Sequence, residues 1–310
     1  MENRILGLHH ITAIASSAKR NLDFYTKVLG LRLVKKTVNF DDPGTYHFYY
    51  GNETGTPGTI LTFFPWEGIG QGRTGAGMAT DIGYSIPRGS SKFWKAHLAE
   101  LNISVEDHEL FGEKGLSFTD PDGLRLQLIE PMVEDKRAVW TTEAIQEDVA
   151  LRGFHNVTLT LQNAEPTIKV LTDILGYGLQ AQEGDRYRLI TDAADTANLV
   201  DIIEDGSATR GHNAAGTNHH IAFRVKDDSV LMEYREKVLA AGLQITPKID
   251  RDYFFSLYFR EPGGVLFEIA TDNPGFMRDE SQEELGTALK LPKQYEGIRG
   301  DIEDSLPNLS

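Results

Sequence analysis

The sequence predicts an α+β fold built from four βαβββ modules. Two observations carry this: the chain repeats itself at long spacing, and each repeat passes from strand-like to helix-like periodicity and back to strands. His9 and His155, Leu29 and Leu175, and Gly30 and Gly176 all stand 146 positions apart without a gap. Pro121 and Pro262, and Gly123 and Gly264, stand 141 apart. Spacings this long mark duplicated supersecondary modules rather than a solenoid.

The first module, about 5–66, opens on the strand LHHITAIA and a helix ending near Gly30. After the connector GIGQGRTGAG comes the second, 78–132, with TDIGYS as strand, SSKFWKAHLAELN as helix, and a closing hairpin turned by Asp120-Pro121-Asp122-Gly123. EDKRAVWTTEAIQEDVA leads to the third, 152–206, which restarts as FHNVTLTL. The fourth, 216–272, shows the pattern most clearly. HIAFRV alternates with period 2, DSVLMEYREKVLAAG is helical and stops at Gly242, and Glu261-Pro262-Gly263-Gly264 turns the last hairpin. Residues 1–150 are thus expected to hold an N-terminal pair of modules, 151–276 a C-terminal pair, and 277–310 an acidic, weakly patterned tail that covers surface.

Composition narrows the function. A net charge of −15, from 31 basic and 46 acidic residues, disfavours nucleic acid and anionic membranes as partners. No apolar run approaches the about 20 residues that span a bilayer. With no cysteine and no basic-then-apolar leader in MENRILGLHH, the cytoplasm is the expected compartment.

Strand phase separates the paired histidines. In HHIAFRV, Ile221, Phe223 and Val225 form an apolar row that packs under helices, while His220, Ala222 and Arg224 face the other way, toward a cavity. The same phase sends His10 and Thr12 to the cavity and puts His9 in the row of Ile11 and Ala13, with His155 in the matching row of the third module. The cavity positions of the second and third modules are Asp81 and Asn156. Glu268 stands in an otherwise apolar strand, where an ionised group is costly unless paired or bound to metal. Its counterparts are Gln127 in the second module and Thr62 or a neighbour in the first. His10, His220 and Glu268 are therefore the candidate metal ligands. Two imidazoles and one carboxylate suit non-haem Fe(II) with open positions, and three ligands also suit catalytic zinc.

The segments HHIT, LDFYTKVLGLRLVKKTVNFDDPGTYHFYYG, NHHIAF and REPGGVLFEIATDNPGF resemble the vicinal oxygen chelate superfamily, and within it the hydroquinone ring-cleaving dioxygenases. The resemblance runs over nearly the whole chain. It implies modules paired into two barrel-like mixed sheets, with iron(II) on His10, His220 and Glu268; manganese, zinc or nickel can take such a site in isolated protein. It further implies catalytic roles for Tyr258, Arg251, His9 and His155, a small aromatic diol and O2 as substrates, an extradiol-type ring opening, and, by family habit, a homodimer. Phe223, Phe254 and Phe255 are candidate pocket walls. The competing readings are a glyoxalase-type isomerase, which usually has a fourth protein ligand, and a non-catalytic binding or resistance protein, which has no use for the His-His-Glu set.

Overall fold

The computed structural model describes residues 3–310. The first module contains β1 (Leu8–Ala15), α1 (Ala18–Asp23, continued by a π-helical turn Phe24–Val28), β2 (Arg32–Asn39), β3 (Asp42–Gly51) and β4 (Ile60–Pro65). The second contains β5 (Met78–Ser85), α2 (Ser91–Glu100), β6 (Glu106–Leu110), β7 (Glu113–Thr119) and β8 (Arg125–Glu130). In the third, β9 (Gly153–Leu161) precedes α3 (Glu165–Lys169), with the same π-helical extension over Val170–Ile174, then β10 (Gly178–Glu183), β11 (Arg186–Ile190) and β12 (Leu199–Glu204). The fourth has β13 (Thr217–Val225), α4 (Asp228–Ala240), β14 (Ile249–Asp250), β15 (Phe254–Arg260) and β16 (Leu266–Pro274), and α5 (Arg299–Ser305) closes the chain. No described helix is long and apolar enough to cross a membrane.

Local chemistry accounts for the boundaries. The Asp227 carboxylate accepts from the Val230 amide 3.1 Å away and caps α4, and Gly242 at φ +80° ends it. The two Pro-Gly turns join antiparallel pairs, β7 with β8 and β15 with β16, as their composition requires.

The strands assemble into two eight-stranded mixed sheets in the orders β14-β15-β16-β13-β1-β4-β3-β2 and β10-β11-β12-β9-β5-β8-β7-β6. The first sheet joins the first and fourth modules, the second joins the second and third. Each sheet thus draws on both sides of residue 150. Ile11, Ala13, Ile221, Phe223 and Val225 are buried in the apolar core, as their phase predicts.

The central pairings carry one irregularity four times over. Between β1 and β13, Leu8 lies opposite Phe223 and His10 opposite Ala222, so His9 is an extra residue; Thr12 lies opposite His220 and Ala13 opposite Asn218, so His219 is another. Between β5 and β9 the same count leaves out Thr80 and His155. Each module therefore has a β-bulge at the residue before its cavity position, and a bulge turns that side chain out of strict alternation.

The tail does more than cover surface. Lys35, fully buried on β2, is paired with Asp279 at 2.6 Å and with Glu280, and its ammonium lies 4.8 Å from the centre of the Tyr253 ring. Phe276 and Leu285 join Tyr49, Tyr253 and Phe254 in a small buried cluster with residues of the first sheet. Helical structure in the tail is confined to 3-10 turns at Phe276–Arg278 and Lys293–Ile298 before α5.

Candidate metal centre

His10 on β1, His220 on β13 and Glu268 on β16 converge at the centre of the first sheet, all three buried. The Glu268 Oε2 lies 3.1 Å from His10 Nε2 and 2.8 Å from His220 Nε2, and the two nitrogens are 3.4 Å apart. Adjacent ligands on an octahedral ion with bonds of about 2.1 Å sit about 3 Å apart, so three mutually adjacent positions on one face fit these separations. Oε2 has no hydrogen-bond donor in spite of its two close nitrogens, while Oε1 accepts from the Ser256 hydroxyl. A buried carboxylate oxygen facing two imidazole nitrogens without a hydrogen bond is what a cation site requires.

The neighbouring histidines fix the tautomers. His9 Nδ1 lies 2.9 Å from His10 Nδ1, and His219 Nδ1 lies 2.8 Å from His220 Nδ1. If His10 and His220 carry their hydrogens on Nδ1 and donate to these acceptors, both Nε2 lone pairs point at the site. His9 Nε2 then donates to the Thr271 carbonyl at 3.1 Å, which leaves its two nitrogens committed. Burial, then the charge of its neighbour His10, holds His9 well below the usual imidazole range. Burial, then His220, brings His219 down to about 3. Burial alone would raise the Glu268 carboxyl, yet His10 and His220 bring it well below the carboxylate range. Neutral imidazoles and an ionised carboxylate are the protonation states that bind a divalent ion.

The bulge explains why phase alone misplaced His9. Strict alternation puts it with Ile11 and Ala13; as the extra residue it swings beside His10, with ring centroids 5.1 Å apart.

A cavity of about 370 Å³ opens in front of the triad, lined among others by His10, Thr12, His220, Arg251, Phe254 and Tyr258. Tyr258 stands directly across the β15–β16 pair from Glu268, and Arg251 Nε donates to its phenolic oxygen at 3.2 Å. Burial, then the charge of Glu268, raises the Tyr258 phenol well above its usual range, so it keeps its proton at neutral pH. Phe254 packs on His9 and His10 with centroids 5.1 and 4.9 Å away.

Three expected residues lie elsewhere. His155 belongs to the other sheet, where its Nε2 meets Glu113 at 2.8 Å beside a separate cavity of about 150 Å³. Its bulge turns it toward β7 of the second module rather than toward the triad. Phe223 is core, packed edge-on against Phe267, because it belongs to the row of Ile221. Phe255 points away from the cavity, with the Lys248 ammonium 4.5 Å over its ring.

Sequence reasoning missed His47 and Tyr49, both lining the cavity from β3. Parity within TYHFYYG places them opposite the buried row Tyr46, Phe48 and Tyr50, and that was the available signal. It also missed Asp201, which holds in the third module the register position of Glu268 in the fourth. There Arg188, the counterpart of Tyr258, clasps Asp201 with two bonds of 2.8 Å and reaches Glu113 at 2.6 Å. In the second sheet a guanidinium neutralises the buried carboxylate, where the first sheet has two imidazoles.

The Glyoxalase/Bleomycin resistance protein/Dioxygenase superfamily model matches residues 7–81 and 153–269. A Bacillus subtilis (strain 168) protein provisionally named ring-cleaving dioxygenase MhqE is 48% identical over 98% of this chain and 99% of its own length. The chlorohydroquinone/hydroquinone 1,2-dioxygenase of Sphingobium indicum is 37% identical over 97% of this chain and 96% of its own. The crystal structure of a provisionally assigned B. subtilis dioxygenase superposes with a TM-score of 0.96 at 45% identity, covering 99% of this chain and 98% of the other. Glyoxalase I from Zea mays shares the fold with a TM-score of 0.64 at 16% identity, covering 86% and 92%.

Proposed function

The chain belongs to the glyoxalase/bleomycin resistance protein/dioxygenase superfamily, and on that premise we propose that it is an Fe(II)-dependent, extradiol-type dioxygenase opening a hydroquinone-type ring with O2. One observation carries the reading: Glu268 Oε2, buried and without a donor, faces the Nε2 atoms of His10 and His220. Two imidazoles and one carboxylate on a single face suit Fe(II) and leave positions free for diol and O2. Bound there, Fe(II) supplies a positive charge that acidifies a diol hydroxyl and the one-electron chemistry that O2 needs.

The remaining work falls to side chains. Phe254 holds the His10 ring and gives the diol an apolar wall. Arg251 orients the Tyr258 phenol, whose retained proton is placed for donation to oxygen as the ring opens. His9 and His219 hold the ligand tautomers. In the first module the place of Glu268 is taken by Thr62, which lies opposite Thr12 and bonds to it and to His47. The fourth carboxylate ligand of an isomerase is therefore missing from that strand, which supports oxygen chemistry.

The test is anaerobic reconstitution with Fe(II), followed by O2 uptake with hydroquinone, methylhydroquinone or catechol. One O2 consumed per ring opened is expected. No uptake with any diol, together with turnover of a thiol hemiacetal, would refute the reading.

A further inference from the structure

Three hydrogen bonds link four side chains from β1 through β4 to β3. Thr12 Oγ1 lies 3.0 Å from Thr62 Oγ1, His47 Nε2 lies 2.9 Å from Thr62 Oγ1, and the Tyr49 hydroxyl lies 3.0 Å from His47 Nδ1. Thr12 and Thr62 are almost completely buried, so water does not replace either of them, while His47 is partly buried and reaches the cavity edge. Resting on the ring-cleavage reading, we propose that Thr12 and Thr62 relay the hydroxyl proton of a bound diol to His47, which stores it until the product oxygen takes it back.

The neighbours of His47 suit it to that task. A histidine that takes up a proton must donate from both nitrogens, and here both partners are hydroxyls, which accept as readily as they donate. His47 can therefore pass from imidazole to imidazolium without stranding a hydrogen bond. His9 lacks this freedom, since a second proton on it would face the hydrogen of His10 Nδ1. The charged groups around His47 are His10 on β1, His220 on β13, Arg251 and Glu268; burial and the first three keep it neutral at rest, and Glu268 opposes them.

The step balances. The diol O–H bond breaks and Thr12 Oγ1 gains that proton, while the proton Thr12 held moves to Thr62 Oγ1 and that of Thr62 to His47 Nε2. Nothing is oxidised or reduced: the diol becomes a monoanion, His47 an imidazolium, and both threonines end neutral. Thr62 occupies the register position that holds Glu268 in the fourth module, so on this strand a proton conductor replaces a ligand.

The test is anaerobic calorimetry of hydroquinone binding to the metal-loaded protein in buffers of different ionisation enthalpy, which counts protons without any turnover. Wild type should release about zero protons per diol, since His47 keeps the proton. Thr62→Val and His47→Gln should each release about one at unchanged metal content, and Thr62→Ser should behave as wild type. Equal proton counts in wild type and Thr62→Val would overturn the relay, as would loss of metal from that variant, which would make Thr62 structural. If wild type gives no heat with hydroquinone, methylhydroquinone or catechol, the diol reading itself falls and the relay with it, a result distinct from equal counts.

Discussion

Replacing His9 by Phe should weaken metal binding more than the same change at His219, although the two stand in equivalent bulges. His10 Nδ1 has one acceptor, His9, which is 2% exposed and packed against Phe254. Without it the buried N–H of His10 loses its partner, a penalty of about 1–3 kcal/mol. The apo protein then recovers part of that by moving the hydrogen to Nε2, where the Glu268 oxygen accepts it, and a metal must reverse the shift. Losing such an orienting partner costs about 10–100-fold in metal affinity, or about 1.4–2.7 kcal/mol. His219 is only partly buried, so in His219→Phe water can reach the vacated position and the loss should stay below about tenfold. Anaerobic competition against a chelator, with Fe(II) or Co(II), measures both. Affinity of His9→Phe within twofold of wild type, or a larger loss in His219→Phe, would refute the tautomer argument.

Two further predictions concern stability. Glu280→Gln leaves the buried Lys35 with Asp279 alone, and because Asp279 is part-exposed the cost should be about 2 kcal/mol in urea unfolding rather than the full value of a broken buried pair; Lys35→Met/Glu280→Met should be nearly neutral. In the second sheet, burial alone would raise the Glu113 carboxyl, but His155 and then Arg188 bring it down to about 2 from an ordinary 4.5. A lowered carboxyl stabilises the fold above its unfolded value, so this contribution is whole above about pH 4.5 and is lost as pH falls toward about 2, with a ceiling of about 3 kcal/mol that rim solvent reduces to about 2. Glu113→Gln should flatten the acid limb of stability measured by urea titration at successive pH values.

Much of this was legible in the sequence, because repeat spacing and strand parity are local properties. Parity picked out His10 and His220, the cost of a carboxylate in an apolar strand picked out Glu268, and the structure brings those three together. What escaped were long-range consequences. The bulges at His9 and His155 arise from registry between strands distant in sequence, so one was placed in the wrong row and the other at the wrong site. His47 hid in an aromatic run that reads as core. The burial of Lys35 has no local signal, because its partners lie more than 240 residues further on, in a tail that reads as solvent-facing.

The nested order of the sheets governs when this protein becomes competent. The inner sheet is complete once residue 204 has been made, since all its strands lie between Met78 and Glu204. The outer sheet needs both ends of the chain, and its ligands His10 and Glu268 are separated by 258 residues. On the ribosome, β1–β4 must wait while two intervening modules pair with each other, and then receive β13–β16. A chain cut between Glu204 and Glu268 carries every strand of the inner sheet but lacks the carboxylate of the metal site. The triad therefore forms only once translation has reached β16, the last strand of the sheet that carries it.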